Sequence, residues 1–154
     1  MRRVILVLLL LAIPAPAFAD ATLFLGFLNK PEMRTTRGFS AGIGLLVVAF
    51  EFDYANAPED LAKGRPSLTT GMGNILVQTP FSRLQFYGTA GAGAYRERLG
   101  DAQETNVGTN IGGGVKFGLI GPLRARVDYR IFNLRGEPIH PTVQRFYAGL
   151  NLKF

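Results

Sequence analysis

Residues 143–154 read VQRFYAGLNLKF, which puts Phe146, Ala148, Leu150, Leu152 and Phe154 on one side and Arg145, Tyr147, Gly149, Asn151 and Lys153 on the other. A period of two with one apolar and one polar side marks a β-strand, because successive side chains leave a pleated backbone on opposite faces. The pattern recurs upstream. Residues 21–28 group Leu23, Leu25 and Phe27. Residues 38–46 set Phe39, Ala41, Ile43 and Leu45 against Ser40, Gly42 and Gly44, and residues 48–55 set Phe50, Phe52 and Tyr54 against Glu51 and Asp53. Residues 84–96 oppose Phe86, Ala90, Ala92 and Ala94 to Gln85, Tyr87, Thr89 and Tyr95. In 106–119, Val107, Ile111, Val115, Phe117 and Leu119 face away from Asn106, Asn110 and Lys116. In 123–133, Leu123, Ala125, Val127, Tyr129 and Ile131 alternate with Arg124, Arg126, Asp128 and Arg130. Residues 67–78 are the least regular: Met72, Asn74 and Leu76 share a side opposite Ile75 and Val77, and a bulge switching register is expected there.

Turn chemistry separates these eight segments. Charged, Pro- and Gly-bearing stretches at 29–37, 56–66, 97–105 and 134–142 predict long loops. Thr79-Pro80 and Gly121-Pro122 predict short turns, and a turn near 46–47 is inferred from strand length alone. Connections thus alternate long and short, which predicts an all-β, eight-stranded antiparallel up-and-down barrel with long loops at one end. Alternation by itself does not say which face is outside. Apolar faces toward lipid give a transmembrane barrel; apolar faces inward give a secreted, lipocalin-like barrel that binds a small ligand.

Against the second stand the terminal Phe154, the alternation of long and short connections and the lack of disulfides or a helix to close a cup; the N-terminus bears on the compartment, which the two share. Arg2 and Arg3, an apolar run over 4–13 and Ala17-Phe18-Ala19 form the three parts of a secretory signal peptide. The apolar run is too short to span a bilayer and breaks at Pro14 and Pro16. The expected division is a signal peptide over 1–19 and one barrel domain over 20–154, with cleavage after Ala19. Removing Arg2 and Arg3 takes the formal charge from +6 to +4, since 1–19 hold no acid. No dense Lys/Arg run with interleaved aromatics occurs, so no nucleic-acid partner is expected. Cysteine is absent, so no disulfide holds the fold. All 19 glycines follow the signal, many inside alternating stretches, where small residues suit a strongly curved wall.

The terminal strand resembles the assembly signal of bacterial outer-membrane barrels through Tyr147, Gly149, Leu152 and Phe154, a polar-x-Gly-x-x-apolar-x-apolar spacing. The whole chain after the signal resembles, in architecture, the small outer-membrane barrels typified by the barrel domain of outer membrane protein A and by OmpX-like proteins. The resemblance implies a Gram-negative outer-membrane location, recognition of the last strand by the barrel-assembly machinery, and contact with outer-membrane lipid and lipopolysaccharide. With nothing left beyond the barrel, the periplasmic domain that some relatives carry is expected to be absent, and a monomer is expected.

With apolar faces outward, Glu51, Asp53, Lys116, Arg124, Arg126, Asp128, Arg130, Arg145 and Lys153 point into the lumen. Buried charges are costly unless paired, so Glu51, Asp53 and Asp128 are expected to pair with arginines of the seventh strand. Such a network either holds the barrel shut or selects anions in a narrow pore. Eight strands leave little more room than their side chains fill, which favours closure. Catalysis has little support. His140 is the single histidine, lies in an expected loop, and has no neighbouring Ser or acid to orient it. The His-x-Ser pair of barrel-type lipid A deacylases is missing, and one His without Cys makes no metal site. No enzyme activity, cofactor or metal is therefore expected. The leading expectation is a structural or surface-interaction barrel serving adhesion or envelope integrity, with Arg34, Arg37, Lys63, Arg65, Arg96 and Arg98 in loops available to lipopolysaccharide or a host surface.

Overall fold

The structure, a computed structural model, describes residues 17–81 and 83–154. Most of the expected signal peptide lies outside the described residues. Eight strands follow one another: β1 (Ala17–Leu28), β2 (Arg34–Leu45), β3 (Val48–Ala57), β4 (Ser67–Gln78), β5 (Leu84–Leu99), β6 (Ala102–Ile120), β7 (Leu123–Leu134) and β8 (Thr142–Lys153). Each pairs antiparallel with the next, and β8 returns to β1 in register from Asp20↔Lys153 to Leu28↔Arg145. Closure gives every strand a neighbour on both sides through the barrel wall, the condition a sheet must meet in lipid.

The faces are inverted relative to a soluble protein. Leu23 on the outer wall is 72% exposed, whereas Asp53, Arg126, Asp128 and Arg130 on the inner wall are fully buried. A lipocalin-like cup needs the opposite arrangement. Eight residues separate Arg37 from Leu45 on β2 and Asn56 from Val48 on β3, all with apolar outward neighbours between them. At about 3.3 Å per residue that is about 26 Å of strand, or roughly 20 Å along the axis at a tilt of about 40°. Exposed Leu46, Val47, Phe81 and Ile120 in and beside the short turns extend the apolar band toward the roughly 25 Å typical of outer-membrane barrels. Among the described residues no helix is long and apolar enough to cross a membrane, so the strands are the only spanning element they offer.

Three sequence expectations are corrected. β4 carries no bulge: Leu68, Thr70, Met72, Asn74, Leu76 and Gln78 all point inward, and its register with β3 runs unbroken from Val48↔Val77 to Ala57↔Leu68. A lumen wall that accepts both Asn and Leu gives the same mixed polarity along one side as a switch of register would. The irregularity lies at Gly118/Ile120 in β6. Residues 97–105 are not a loop, because β5 and β6 continue in register to Leu99↔Ala102 around a turn at Gly100 and Asp101. Gly100 takes φ 60°, which suits glycine. Arg34, Arg37, Arg96 and Arg98 accordingly sit on strands; Arg34 is buried inside, and the other three are exposed.

Wall curvature makes some glycines obligatory. A Cβ at inward-facing Gly93 would lie 2.0 Å from the Gly71 carbonyl oxygen and 2.8 Å from the Met72 Cα, both backbone atoms that cannot move aside. At outward-facing Gly88 the nearest atom would be 4.0 Å away. Gly93→Val should therefore sharply reduce the fraction of protein that folds, read as the heat-modifiable band on a gel, whereas Gly88→Ala should leave it unchanged.

Candidate functional site

The inner wall is built by alternation. β3 contributes Glu51 and Asp53, β7 contributes Arg124, Arg126, Asp128 and Arg130, and β8 contributes Arg145, each two residues from the next inward position of its own strand. Such bulky groups fit because glycine stands beside them on the adjacent strand. Glu51 is opposite Gly42, Arg126 opposite Gly149, Asp128 opposite Gly114 and Arg130 opposite Gly112. The glycines vacate the wall and the long side chains occupy the space.

The central network holds three carboxylates and three guanidiniums. Arg126 binds Glu51 in two-pronged fashion, Nη1 to Oε2 at 2.5 Å and Nη2 to Oε1 at 3.1 Å, and reaches Asp128 Oδ2 at 3.3 Å. Arg130 donates from Nε and Nη2 to Asp128 at 2.9 and 3.1 Å and from Nη2 to Glu51 at 2.8 Å. Arg145 Nη2 lies 2.9 Å from both oxygens of Asp53, which also stands 3.8 Å from Arg130 Nη1. Arg130 and Arg145 are direct cross-strand partners. Like charges so placed repel, and Asp53 is the group that bridges them. Tyr87 donates its hydroxyl to Asp128 and accepts from Arg126 Nε at 2.7 Å. Ser40 donates to Glu51 at 3.1 Å while accepting from Arg126 Nη1 at 3.2 Å. Thr22 takes a further bond from Arg126 at 3.2 Å.

Apolar material closes the network toward the long loops. The Arg145 guanidinium carbon lies 4.9 Å from the Phe132 ring centre, 5.1 Å from Phe24 and 5.3 Å from Tyr147, the last two stacked at 4.0 Å. Beyond them Leu28, Leu68, Met72, Tyr95, Leu134 and Val143 form a buried cluster across the lumen. Loop 135–141 folds over this cluster: Tyr95 donates to the Arg135 carbonyl at 2.5 Å, and the Ile139 amide donates to Glu97 at 2.7 Å. His140 is half-buried in that loop, its Nδ1 3.9 Å from Glu97. Ser40 is engaged in the central network through Glu51, whereas His140 stands beside Glu97 in the loop.

At the short-turn end Lys116 and Arg124 form a separate group. Lys116 Nζ lies 2.5 Å from Asp20 Oδ2 and Arg124 Nη2 lies 3.5 Å from it, while Arg124 also bonds Asn151 and Gln85. A cavity of about 120 Å³ here is lined by Asp20, Glu51, Gln85, Lys116, Arg124 and Lys153 among others. Arg124 thus differs from the other β7 arginines: its carboxylate is Asp20 on β1, not one of the β3 pair. In β8, Tyr147 is fully buried in the lumen, Gly149 is half-buried and Leu152 is exposed on the outer side, as is Phe154 just after the strand.

Sequence reasoning left Asp20 and Thr22 unassigned, and it set Ser40 and Tyr87 on the inner side without joining them to the charge network. Parity was the available signal: Asp20, Thr22 and Phe24 share one side of β1, and Gln85 and Tyr87 one side of β5. Asp20 was obscured because it stands at the expected start of the mature chain.

The fold, a closed eight-stranded antiparallel barrel with a filled interior, is one that small bacterial outer-membrane proteins of known structure share. Neisserial surface protein A superposes with a TM-score of 0.71 at 15% identity, over 90% of this chain and 97% of that one. The N-terminal barrel domain of Pseudomonas aeruginosa OprF gives 0.65 at 18% identity over 89% and 97%. The attachment invasion locus protein Ail of Yersinia pestis gives 0.53 at 13% identity over 90% and 98%. These likenesses are of fold. No family model matches the sequence, and no curated protein matches it.

Removing one partner of a buried pair leaves an uncompensated charge, at a typical cost of about 3–5 kcal/mol. Glu51→Gln, which strips Arg126 and Arg130 of a shared carboxylate, should lower the stability of the folded barrel by about that much, measured by urea unfolding in lipid vesicles. Arg126→Met combined with Glu51→Gln should cost less than the sum of the single changes, and additive costs would contradict the coupling.

Proposed function

We propose that this protein is a closed barrel of the Gram-negative outer membrane, exported by its N-terminal segment, with a structural or surface-interaction role in the envelope. The observation that carries the closed reading is the central network. Glu51, Asp53 and Asp128 balance Arg126, Arg130 and Arg145 in number, and all six are buried. A conducting path needs hydrated charges with free coordination; here guanidiniums and carboxylates are turned to one another, with a buried apolar cluster above them. The outward apolar wall and its likeness to outer-membrane barrels support the location. In this reading β8, through Tyr147, Gly149, Leu152 and Phe154, is the segment the barrel-assembly machinery engages.

A narrow pore is the second reading, favoured by the cavity of about 120 Å³ that enters from the short-turn end and reaches Glu51. Planar-bilayer recording separates the two. The closed barrel predicts current indistinguishable from the protein-free membrane across applied voltage. Long-lived, anion-selective openings would overturn closure and establish the pore.

A further inference from the structure

The outer wall carries a polar row that neither the apolar band nor the lumen explains. Register places Arg37 on β2 opposite Asn56 on β3, Asn56 opposite Thr69 on β4, Thr69 opposite Arg96 on β5, and Arg96 opposite Thr105 on β6. The parity of each strand turns these five outward, with Arg37, Arg96 and Thr105 exposed. Asn56 Nδ2 donates to Thr69 Oγ1 at 2.8 Å, tying the middle of the row together. The row borders the apolar band on the long-loop side. Three other arginines at this end are placed differently: Arg65 pairs with Glu32, Arg98 lies 3.6 Å from Glu59, and Arg34 is inside the barrel. Arg37 and Arg96 have no carboxylate partner among the described residues.

Below Arg37 the wall is recessed. A groove of about 1280 Å³ runs from Arg37 and Asn56 past Leu25, Phe39 and Tyr54 toward Leu152, with Ala41 and Ala148 along it. Phe39 packs against Tyr54 and Phe52, with ring centres 5.6 and 6.4 Å apart, which builds one side of the groove. A guanidinium above an apolar furrow suits an amphiphile with an anionic head and hydrocarbon chains. The second arginine narrows the choice. Three inter-strand spacings separate the Arg37 and Arg96 backbones, about 14 Å, a span that a head carrying a phosphate at each end matches with both side chains extended from the wall, whereas one phosphate would need the two side chains folded toward each other along it.

We propose that Arg37 and Arg96 bind the two phosphates of a bisphosphorylated lipid A headgroup, one of whose acyl chains occupies the groove beneath Arg37. The proposal rests on the outer-membrane reading above and assigns a lipid partner to that wall. The row at the long-loop end then lies at the level of the outer-leaflet headgroups, and its Asn56–Thr69 bridge lies under the sugar. Arginine fits the role because its planar fork presents paired donors to phosphate oxygens.

The test titrates the full barrel, folded in detergent micelles, with bisphosphorylated lipid A, with phosphate-free lipid A and with phosphatidylglycerol. Wild-type protein should bind the bisphosphorylated lipid at least tenfold more tightly than either of the others, and Arg37→Gln combined with Arg96→Gln should remove that preference. Equal binding of the three lipids by wild type would overturn the proposal, and so would a preference unchanged in the double variant. If the double variant does not fold, the wild-type lipid comparison decides. Ala41→Trp, which fills the groove from an outward position, should weaken lipid A binding; unchanged affinity would overturn the acyl-chain assignment. Failure of the underlying reading has a different signature: wild-type protein recovered in soluble form without detergent and lacking a heat-modifiable gel band.

Discussion

Lumen width is the constraint on which the rest depends. Eight tilted strands enclose a space that side chains fill, so whatever the inner faces carry must be satisfied by the inner faces of other strands. This chain carries arginines and carboxylates there, and the consequences spread through the sequence. Glycines stand beside Glu51, Arg126, Asp128 and Arg130 because the wall must recede where those groups project. Asp53 lies between Arg130 and Arg145 because the β7–β8 register would otherwise set two cations face to face. Closing the barrel and neutralising its charges are one requirement, since Glu51 from β3 meets Arg126 and Arg130 only when the sheet has curled through five strands.

Such a network is weak evidence for great stability, because desolvating the ions offsets much of their attraction. Its stronger effect is on specificity. Slipping β7 by one residue against β8 would turn Arg126, Asp128 and Arg130 toward lipid, where a charge near the midplane costs about 2–4 kcal/mol, and would bring Val127 and Tyr129 inward. The inner polar faces therefore fix the register that the outer apolar faces alone would specify loosely.

Much of the architecture was legible in the chain. Alternation in 48–55, 123–133 and 143–154 located strands and assigned their faces, because period two is unambiguous where charged and aromatic residues alternate. It was less informative in 67–78, where Asn74 lies between Met72 and Leu76 on a lumen wall that tolerates both. It failed at 97–105, where charge density suggested a loop although Glu97 and Glu104 are cross-strand partners in an extended hairpin. Which carboxylate meets which arginine was not legible. Those contacts join strands far apart in sequence, as Lys116 does with Asp20, and depend on barrel shear and side-chain length more than on local pattern. The outward row of Arg37 and Arg96 was hidden for a related reason: register alone shows that residues 59 positions apart stand at one height.

The most direct measurement of closure is the water accessibility of the network itself. Cysteine is absent from the sequence, so Ser40→Cys creates a single thiol between Glu51 and Arg126. In the folded barrel, reconstituted in lipid vesicles, a small water-soluble thiol reagent should leave Cys at this position unmodified for as long as the protein stays folded, and should label it fully after unfolding in urea. Rapid labelling of the folded protein, at a rate near that of the unfolded chain, would show that water passes the network and would contradict the closed lumen.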